Sequence, residues 1–446
     1  MTETPAAAAR RVLIVSAHFP PVNAPDHQRV RMSLPHLGEF GWQAHVLAVA
    51  PEHVEGFRDP DLVRTIPAET PVTRVGAVPA RWTRLLGVGS LGVRAWRSLR
   101  KAGERLLGTQ RFDLVYFSTT VFTTMSLGPR WKFRFGVPYV LDIQDPWVSD
   151  YYSRTGVRPP GGRLKYGLVQ WLARRAEPTA VREAAHIVCV SPAYPNMLRA
   201  RYPDVPADRF TVLPFGASER DMHMAASERP PPAVFDPADG KVHWVYLGRG
   251  GPDMARGLRA LFAGLRSLRA ADPRTERLRL HFVGTSYSAG DRAERTVEPL
   301  ARELGVGDLV EERTNRVGYL DGLALLQASD AVLIIGSDDP GYSASKVYPC
   351  ILARRPILAV LHSGALAGKV ISDCRAGEVV EFTRPGSESE LIARVGAALV
   401  RLLDQPRGAR LATDWEAFAP YTAREMTRRQ CEAFDRAIGR RDGRTA

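Results

Sequence analysis

The sequence predicts an α/β chain built from two parallel-sheet domains in tandem, and three observations carry that reading. At 446 residues the chain is longer than one hydrophobic core normally spans, since single cores stop growing before about 250 to 300 residues. Short continuous apolar runs alternate with longer amphipathic stretches, the pattern of buried strands covered by helices on both faces. A proline-rich stretch without periodicity, ASERPPPAVFDPADGK from residue 226, separates two such series. The expected division is a first domain over 1–225, a linker over 226–240, a second domain over 241–412, and C-terminal helices over 413–446 that return to the first domain.

The elements follow in order. RRVLIVSAHFPP contains the uninterrupted run Val12 to Val15 and closes on Pro20 and Pro21, so it reads as a buried strand. A helix is expected from about Gln28 to Phe40, stopped by Gly41, before a strand at Ala44 to Ala48. FDLVYFS and PYVLDIQD are the next strands; KYGLVQWLARRAEPTAVREA is helical, and HIVCVS and RFTVLPFG are strands with a helix between them. Beyond the linker the alternation repeats: VHWVYLG, a helix over 253–270, LRLHFVG, a helix over 289–304, DLVEE, a helix around LDGLALLQAS, AVLIIG, a helix begun by Ser345 and Lys346, ILAVL and GEVVEF. The last stretch, from Trp415, reads as a helix pair broken at Pro420.

Hydrophobic content of 45% and charged content of 24% are ordinary for a globular chain. The net charge of +13 fits an anionic partner, whether phosphorylated substrate or membrane surface, or simply arginine-rich usage, because the basic residues are spread along the chain. No aromatic-interleaved basic module appears, so nucleic acid is not an expected partner. Cys189, Cys350, Cys374 and Cys431 are far apart and include no CxxC pair, which points away from a zinc site or disulfide framework and toward a reducing, cytoplasmic setting. The N-terminus lacks the order of a signal peptide, and no apolar run reaches about 18 residues. Any membrane contact is therefore expected to be peripheral, at the inner face.

In open parallel sheets ligands sit beyond the carboxyl ends of the strands. The first such loop, SAHFPPVNAPDHQR, contains no glycine, which disfavours an NAD or FAD enzyme. In the second domain, VYLGRGGPDMARG sets Gly248, Gly250 and Gly251 around Arg249, and HFVGTS sets Gly284 and Thr285 after the next strand. Glycines there serve either tight turns or the close approach of a ligand, and arginine can grip phosphate oxygens with two prongs. Six of the 61 basic residues are lysines, and one of them, Lys346, stands with Ser345 at a predicted helix start. Free N–H groups and a compact positive charge at that place suit a pyrophosphate leaving group.

The order of these stretches resembles family 4 of the GT-B glycosyltransferases over nearly the whole chain: VLIVSAHFPP…QRVRMSLPHLGEFGWQAHVLAV, HIVCVSPAY, FTVLPFGA, VYLGRGG, HFVGTS and RVGYLDGLALLQASDAVLI. The resemblance implies the GT-B architecture of two Rossmann-like domains facing each other across a cleft. It also implies a nucleotide-sugar donor held by the second domain, retention of anomeric configuration, and no cofactor or catalytic metal. On it, Arg249 and Lys346 match donor-diphosphate residues, and Gly248 and Gly284 match donor-site glycines. Gly250, Thr285, Tyr342 and Ser345 are placed beside them. The family's paired glutamates fall on Gly341 and Pro349, and Pro349 has no oxygens with which to hold a ribose diol. Asn23 and Ala24 replace a glycine pair, and Gln144 stands where a histidine is common.

Further candidates come from the strand ends. Asp142 and Asp145 in LDIQDPW could accept a hydroxyl proton or orient a sugar, or could brace the loop. His18 ends the first strand, and Asp338 and Asp339 are positioned to bond sugar hydroxyls. In RWTRLLGVGSLGVRAWRSLRKAGERLLG, Trp82, Leu86, Val93, Trp96 and Leu107 share one stripe with Arg94, Arg97, Lys101 and Arg105 beside it. That pattern fits either an ordinary domain helix or peripheral membrane contact through 82–107. The expected function is therefore a hexosyltransferase-type enzyme acting on a glycan, lipid-linked or small-molecule acceptor. A sugar-nucleotide epimerase of the same fold and a non-catalytic sugar-binding partner are the alternatives.

Overall fold

A computed structural model describes residues 9–84, 89–149, 162–229, 234–286, 293–338, 345–383 and 386–442. The chain divides into two compact units, Met1–Phe215 with Ala423–Ala446, and Gly216–Thr422. The first unit carries β1 (Arg10–Val15), β2 (Trp42–Val49), β3 (Val72–Val75), β4 (Leu114–Ser118), β5 (Tyr139–Ile143), β6 (His186–Cys189) and β7 (Phe210–Val212). They form one parallel sheet in the order β3-β2-β1-β4-β5-β6-β7. The second unit carries β8 (Val242–Leu247), β9 (Leu278–Val283), β10 (Val310–Arg313), β11 (Ala331–Ile335), β12 (Ile357–His362) and β13 (Glu378–Phe382). These are also parallel, in the order β10-β9-β8-β11-β12-β13. Both sheets are therefore Rossmann-like, and strand order reverses between β1 and β4 and between β8 and β11. Those reversals are where such sheets open a ligand crevice at their carboxyl ends.

The uninterrupted apolar runs become strands because both faces are covered: Val12 to Val15 in β1 are all fully buried. The helix expected from Gln28 to Phe40 is shorter. It runs Gln28–Ser33, and a 3-10 turn, Leu37–Phe40, follows Pro35, which has no N–H to continue the ladder. Gly41 closes the segment in the left-handed conformation. Of the helix expected over 289–304, Glu298–Glu303 is present, and residues 287–292 lie outside the described residues.

The division differs from the sequence reading in two places. Residues 219–228 form a helix capped by Ser218, whose Oγ accepts from the Asp221 N–H at 3.1 Å, and this helix belongs to the second unit. Gln327 Nε2 donates to the Met222 carbonyl at 3.2 Å and Tyr319 Oη to Asp221 at 3.1 Å. Phe235, toward the end of the expected linker, also packs there, stacking on the imidazole of His243 at 4.1 Å. At the other end, Trp415–Tyr421 stays with the second unit, where Tyr421 stacks on Tyr348 at 5.2 Å. The helix Ala423–Asp442 completes the first core. Its Phe434 sits edge-on to Trp42 at 5.2 Å and Tyr116 at 4.9 Å, a burial that contributes roughly 1.5–3 kcal/mol.

The stripe expected over 82–107 is split by tertiary packing. In the helix Leu91–Thr109, Ala95, Leu99, Leu106 and Leu107 are buried, and Gly103 lies so close to Trp131 that an added Cβ would sit 2.3 Å from the ring. Arg94 is not on a solvated basic face: it is buried and donates to the carbonyls of Val78 and His53 at 2.9 and 3.1 Å. Trp96 is half-buried and donates to Ser126 Oγ at 3.0 Å. Trp82 and Val93 remain exposed, and Leu86 lies outside the described residues. Among the described residues no helix is long and apolar enough to cross a membrane.

Candidate functional site

Each sheet gathers polar residues at its strand-order reversal. In the first unit, β1 ends at Val15 and the loop beyond it brings His18 to Asp26, with Nδ1 2.9 and 3.0 Å from the two carboxylate oxygens. Asp26 also accepts from Thr119 Oγ1 at 2.9 Å and from the Thr120 N–H at 3.0 Å, both just beyond β4. Burial is the largest influence on the His18 pKa and lowers it, but the bond to Asp26 and its charge together outweigh burial, and the net shift is upward. Burial likewise favours the neutral form of Asp26, yet His18 and the Thr120 amide bring its pKa down to about 2. The carboxylate fixes Nδ1, which leaves Nε2 as the ring nitrogen available for chemistry.

Beneath this pair lies a buried charge network. Asp142, at the end of β5, is fully buried and accepts from Arg29 Nε at 2.9 Å, Ser118 Oγ at 2.7 Å and Gln144 Nε2 at 2.9 Å. Arg29, equally buried, donates to the Leu213 carbonyl at 2.7 Å. Gln144 Nε2 also reaches the Asp26 carbonyl at 3.0 Å. Asp142 therefore cannot meet a substrate hydroxyl, contrary to the expectation from its place at a strand end; it positions Arg29 and Gln144 under the loop that holds Asp26. Asp145 differs, because its side chain is exposed. Crowding by protein atoms, and secondarily the charge of Asp26, raise its pKa to about 6, with solvent at the side chain screening part of that effect. Asn23 lies in the same loop, its N–H donating to the Phe57 carbonyl at 2.8 Å.

In the second unit β8 ends at Leu247, and Gly248 follows with φ +141°. A Cβ on Gly248 would stand 3.2 Å from Lys346 Nζ, so glycine leaves the lysine its place as well as meeting the backbone's demand. Lys346 Nζ donates to Tyr246 Oη at 2.6 Å and lies 3.8 Å from the centre of that ring. Tyr246 Oη in turn donates to the Arg249 carbonyl at 2.6 Å. Burial, with the positive charge of Arg249 as a smaller contribution, takes the Lys346 pKa down to about 7, against an opposing effect of Cys350. Lys346 precedes the short helix Val347–Leu352, and Ser345 beside it is exposed. Pro349 falls in that helix's first turn, where no intrahelical N–H bond is required.

Arg249 is held by Asp253 through two bonds, Nη1–Oδ1 at 2.9 Å and Nη2–Oδ2 at 2.6 Å. Burial raises the Asp253 pKa, but bonds from Arg249 and Ser337 bring it below the usual aspartate value. The Asp253 carbonyl receives the Asp338 N–H at 2.9 Å, tying the loop after β8 to the loop after β11. Gly250 donates its N–H to the Thr285 carbonyl at 2.7 Å, and Gly284 turns the chain after β9 at φ +77°. The Thr285 hydroxyl is directed to buried Glu312 at 2.6 Å, which braces the loop. Asp339 and Tyr342, also sequence candidates, lie outside the described residues, as does Gly341.

Sequence reasoning thus located both loop clusters but missed their partners. Asp26, Thr119, Arg29, Tyr246 and Asp253 were not singled out. For Asp253 a signal existed, a carboxylate four residues after Arg249 in the first turn of a helix. Asp26 and Thr119 are 93 positions apart and meet only across the sheet.

Residues 27–216 match the family model described as a glycosyl transferase 4-like domain. No curated protein matches the chain. Among solved structures, Anabaena Alr3699/HepE in complex with UDP-glucose is similar with a TM-score of 0.58 at 15% identity, covering 95% of this chain and 99% of that one. The α,α-trehalose-phosphate synthase (UDP-forming) of Burkholderia xenovorans, in complex with glucose-6-phosphate, is similar with a TM-score of 0.63 at 13% identity, covering 96% and 99%. WaaG, a glycosyltransferase involved in lipopolysaccharide biosynthesis, gives 0.52 at 15%, covering 97% and 95%. Two Rossmann-like sheets and this likeness to solved structures give the chain the GT-B fold, and its residues 27–216 are similar to a glycosyl transferase 4-like domain.

Proposed function

We propose that the protein transfers a sugar from a nucleotide-sugar donor to a hydroxyl of a glycan, lipid-linked or small-molecule acceptor, with retention taken from the family resemblance alone. The observation that carries this is the convergence of Lys346, Arg249 and Gly248 at the strand-order reversal of the second sheet. Two cations and a side-chain-free backbone at such a crevice suit a diphosphate whose negative charge grows as the sugar departs. Lys346 supplies a point charge; Arg249, pre-oriented by Asp253, supplies the planar donors. No metal or cofactor enters this reading. HepE and the trehalose-phosphate synthase, named above in UDP-glucose-bound and UDP-forming terms, lend a uridine donor first place in any screen.

On the acceptor side, Asp145, with its raised pKa and exposed carboxyl, is the group to accept a hydroxyl proton near neutral pH, and His18 orients the hydroxyl through Nε2. Peripheral membrane contact belongs to the same proposal. Leu168, Trp171 and Leu172 are exposed on the helix Arg163–Glu183, with Arg175 over the Trp171 ring at 5.2 Å, and Trp82 is exposed beside Arg81. Tryptophans flanked by arginines fit an anionic bilayer surface. Sedimentation with anionic vesicles should carry the wild type down and leave a Trp82→Glu/Trp171→Glu double variant in the supernatant; equal sedimentation refutes the contact.

The deciding experiment for the activity is a thermal-shift screen of nucleoside diphosphates and their sugars, followed by a donor-hydrolysis and transfer assay. Specific binding raises the melting temperature. Lys346→Ala with undiminished transfer would overturn the leaving-group role, and an epimerised donor formed without acceptor would favour the epimerase reading. Absence of any nucleotide binding would favour a non-catalytic partner.

A further inference from the structure

At the opposite end of the second sheet, by the amino ends of β11 and β12, the unit carries an open pocket of about 570 Å³. Strands of five or six residues put this end roughly 17–20 Å from the loops that carry Gly248 and Asp338. Its lining includes Arg229, Arg354, Arg355 and Arg410, with Glu219 as the one carboxylate among the described residues. The helix 219–228 and Leu352 contribute an apolar floor through Met222, Ala225 and Leu352.

The arginines are unusual in their pairing. Many arginines of this chain are matched to carboxylates, as Arg259 is to Glu303, Arg274 to Asp272 and Arg401 to Glu378. Among the described residues, Arg354, Arg355 and Arg410 form no ion pair: Arg355 donates only to the Gln327 carbonyl, from Nε at 2.8 Å and from Nη2, and Arg354 only covers the Trp415 ring at 4.7 Å. Arg229 is turned toward Asp321, 3.5 Å away. Arg354 is also held at φ +60°, a backbone conformation that disfavours any side chain with a Cβ. Burial and the charge of Arg410 both act against the charged form of Arg355 and together outweigh the opposing charge of Asp330. Arginines in excess of carboxylates at this pocket leave a positive potential there.

We propose that this pocket is a binding site for a small molecule carrying two or more phosphate groups, separate from the donor loops. Guanidinium groups grip phosphate oxygens bidentately, and three unpaired guanidiniums match a polyphosphate better than a single charge. The volume is that of a small-molecule site and not of an extended groove for a chain.

The test is calorimetric titration of the full chain with inorganic tripolyphosphate at fixed ionic strength, comparing wild type with Arg410→Glu, Arg355→Gln, Lys346→Met and the remote control Arg182→Glu. Arg410 is exposed and forms no hydrogen bond among the described residues, so its variant keeps the fold even if Arg355→Gln does not; circular dichroism checks both. The expected result is a binding component weakened at least about tenfold by Arg410→Glu and left unchanged by Lys346→Met and Arg182→Glu, beside a second component at the donor loops that Lys346→Met alone weakens. Loss in Lys346→Met with Arg410→Glu unaffected assigns the binding to the donor loops and overturns the proposal. So does no binding to wild type, or an equal loss in Arg182→Glu, which would mark general charge attraction.

Discussion

A diphosphate bound beside Lys346 should pull a proton from solution. In the ligand-free protein the lysine pKa is lowered to about 7 by burial, with Arg249 adding to the effect. At pH 8 about nine-tenths of such a group is neutral, and at pH 7 about half. A bound diphosphate places negative charge next to Nζ and restores the ammonium, so binding takes up about 0.9 proton at pH 8 and about half a proton at pH 7. The nucleotide itself is fully deprotonated at pH 8, because its last phosphate pKa lies near 6. Calorimetry of a nucleoside diphosphate in buffers of different ionisation enthalpy measures this directly. Lys346→Met keeps the side-chain length and removes the titrating group, so the uptake should fall by nearly the whole amount. Affinity should drop by about 1.5–3 kcal/mol, the worth of a charged hydrogen bond, or roughly ten- to 150-fold. An uptake that is absent in wild type, or the same in Lys346→Met, refutes the reasoning.

Other outcomes follow from the same structure. Asp142→Ala leaves Arg29 buried without its counter-charge and should destabilise the first unit by about 3–5 kcal/mol in urea titration, a loss visible without any substrate. Gly103→Ala forces a methyl into the Trp131 ring and should lower stability by about 1–3 kcal/mol, read from the thermal midpoint. The pair His18–Asp26 gives two pH windows: the raised His18 pKa stabilises the fold below the unfolded value of 6.5 and this is lost as pH rises through the folded value. The depressed Asp26 pKa stabilises above the unfolded 3.8 and is lost as pH falls toward about 2. An NMR titration should accordingly find the His18 pKa lower in Asp26→Asn than in wild type. Gly248→Ala should weaken nucleotide binding through Lys346, which it crowds at 3.2 Å, and titration of the variant checks it.

Much of the site was legible along the chain because its parts are local. Gly248 and Arg249 follow an apolar run directly, and Lys346 precedes a helix that begins at Val347, so strand end and helix start could be read from periodicity. Asp142 shows the limit of that reading. Its position at a strand end marks it as a candidate, yet whether it meets solvent depends on Arg29, 113 residues away, and on Ser118 and Gln144 filling the space above it. Arg94, expected on the basic face over 82–107, shows the same limit, since it is buried and reaches carbonyls that the helix pattern does not contain.

By itself the sequence determined two parallel α/β units, because continuous apolar runs are stable only as strands covered on both faces, and a chain of this length exceeds one core. It also singled out the loop at Gly248 and Arg249 and the helix start at Lys346, which the fold brings together. The tertiary structure alone decided where each unit ends, since Phe235 and the helix 219–228 find their partners on the second sheet and Phe434 finds its own between Trp42 and Tyr116. It alone decided which charges are paired and which remain open, because an ion pair depends on distances across the sheet and not on spacing along the chain. Lys346 against Tyr246 and Arg29 against Asp142 are settled at that level.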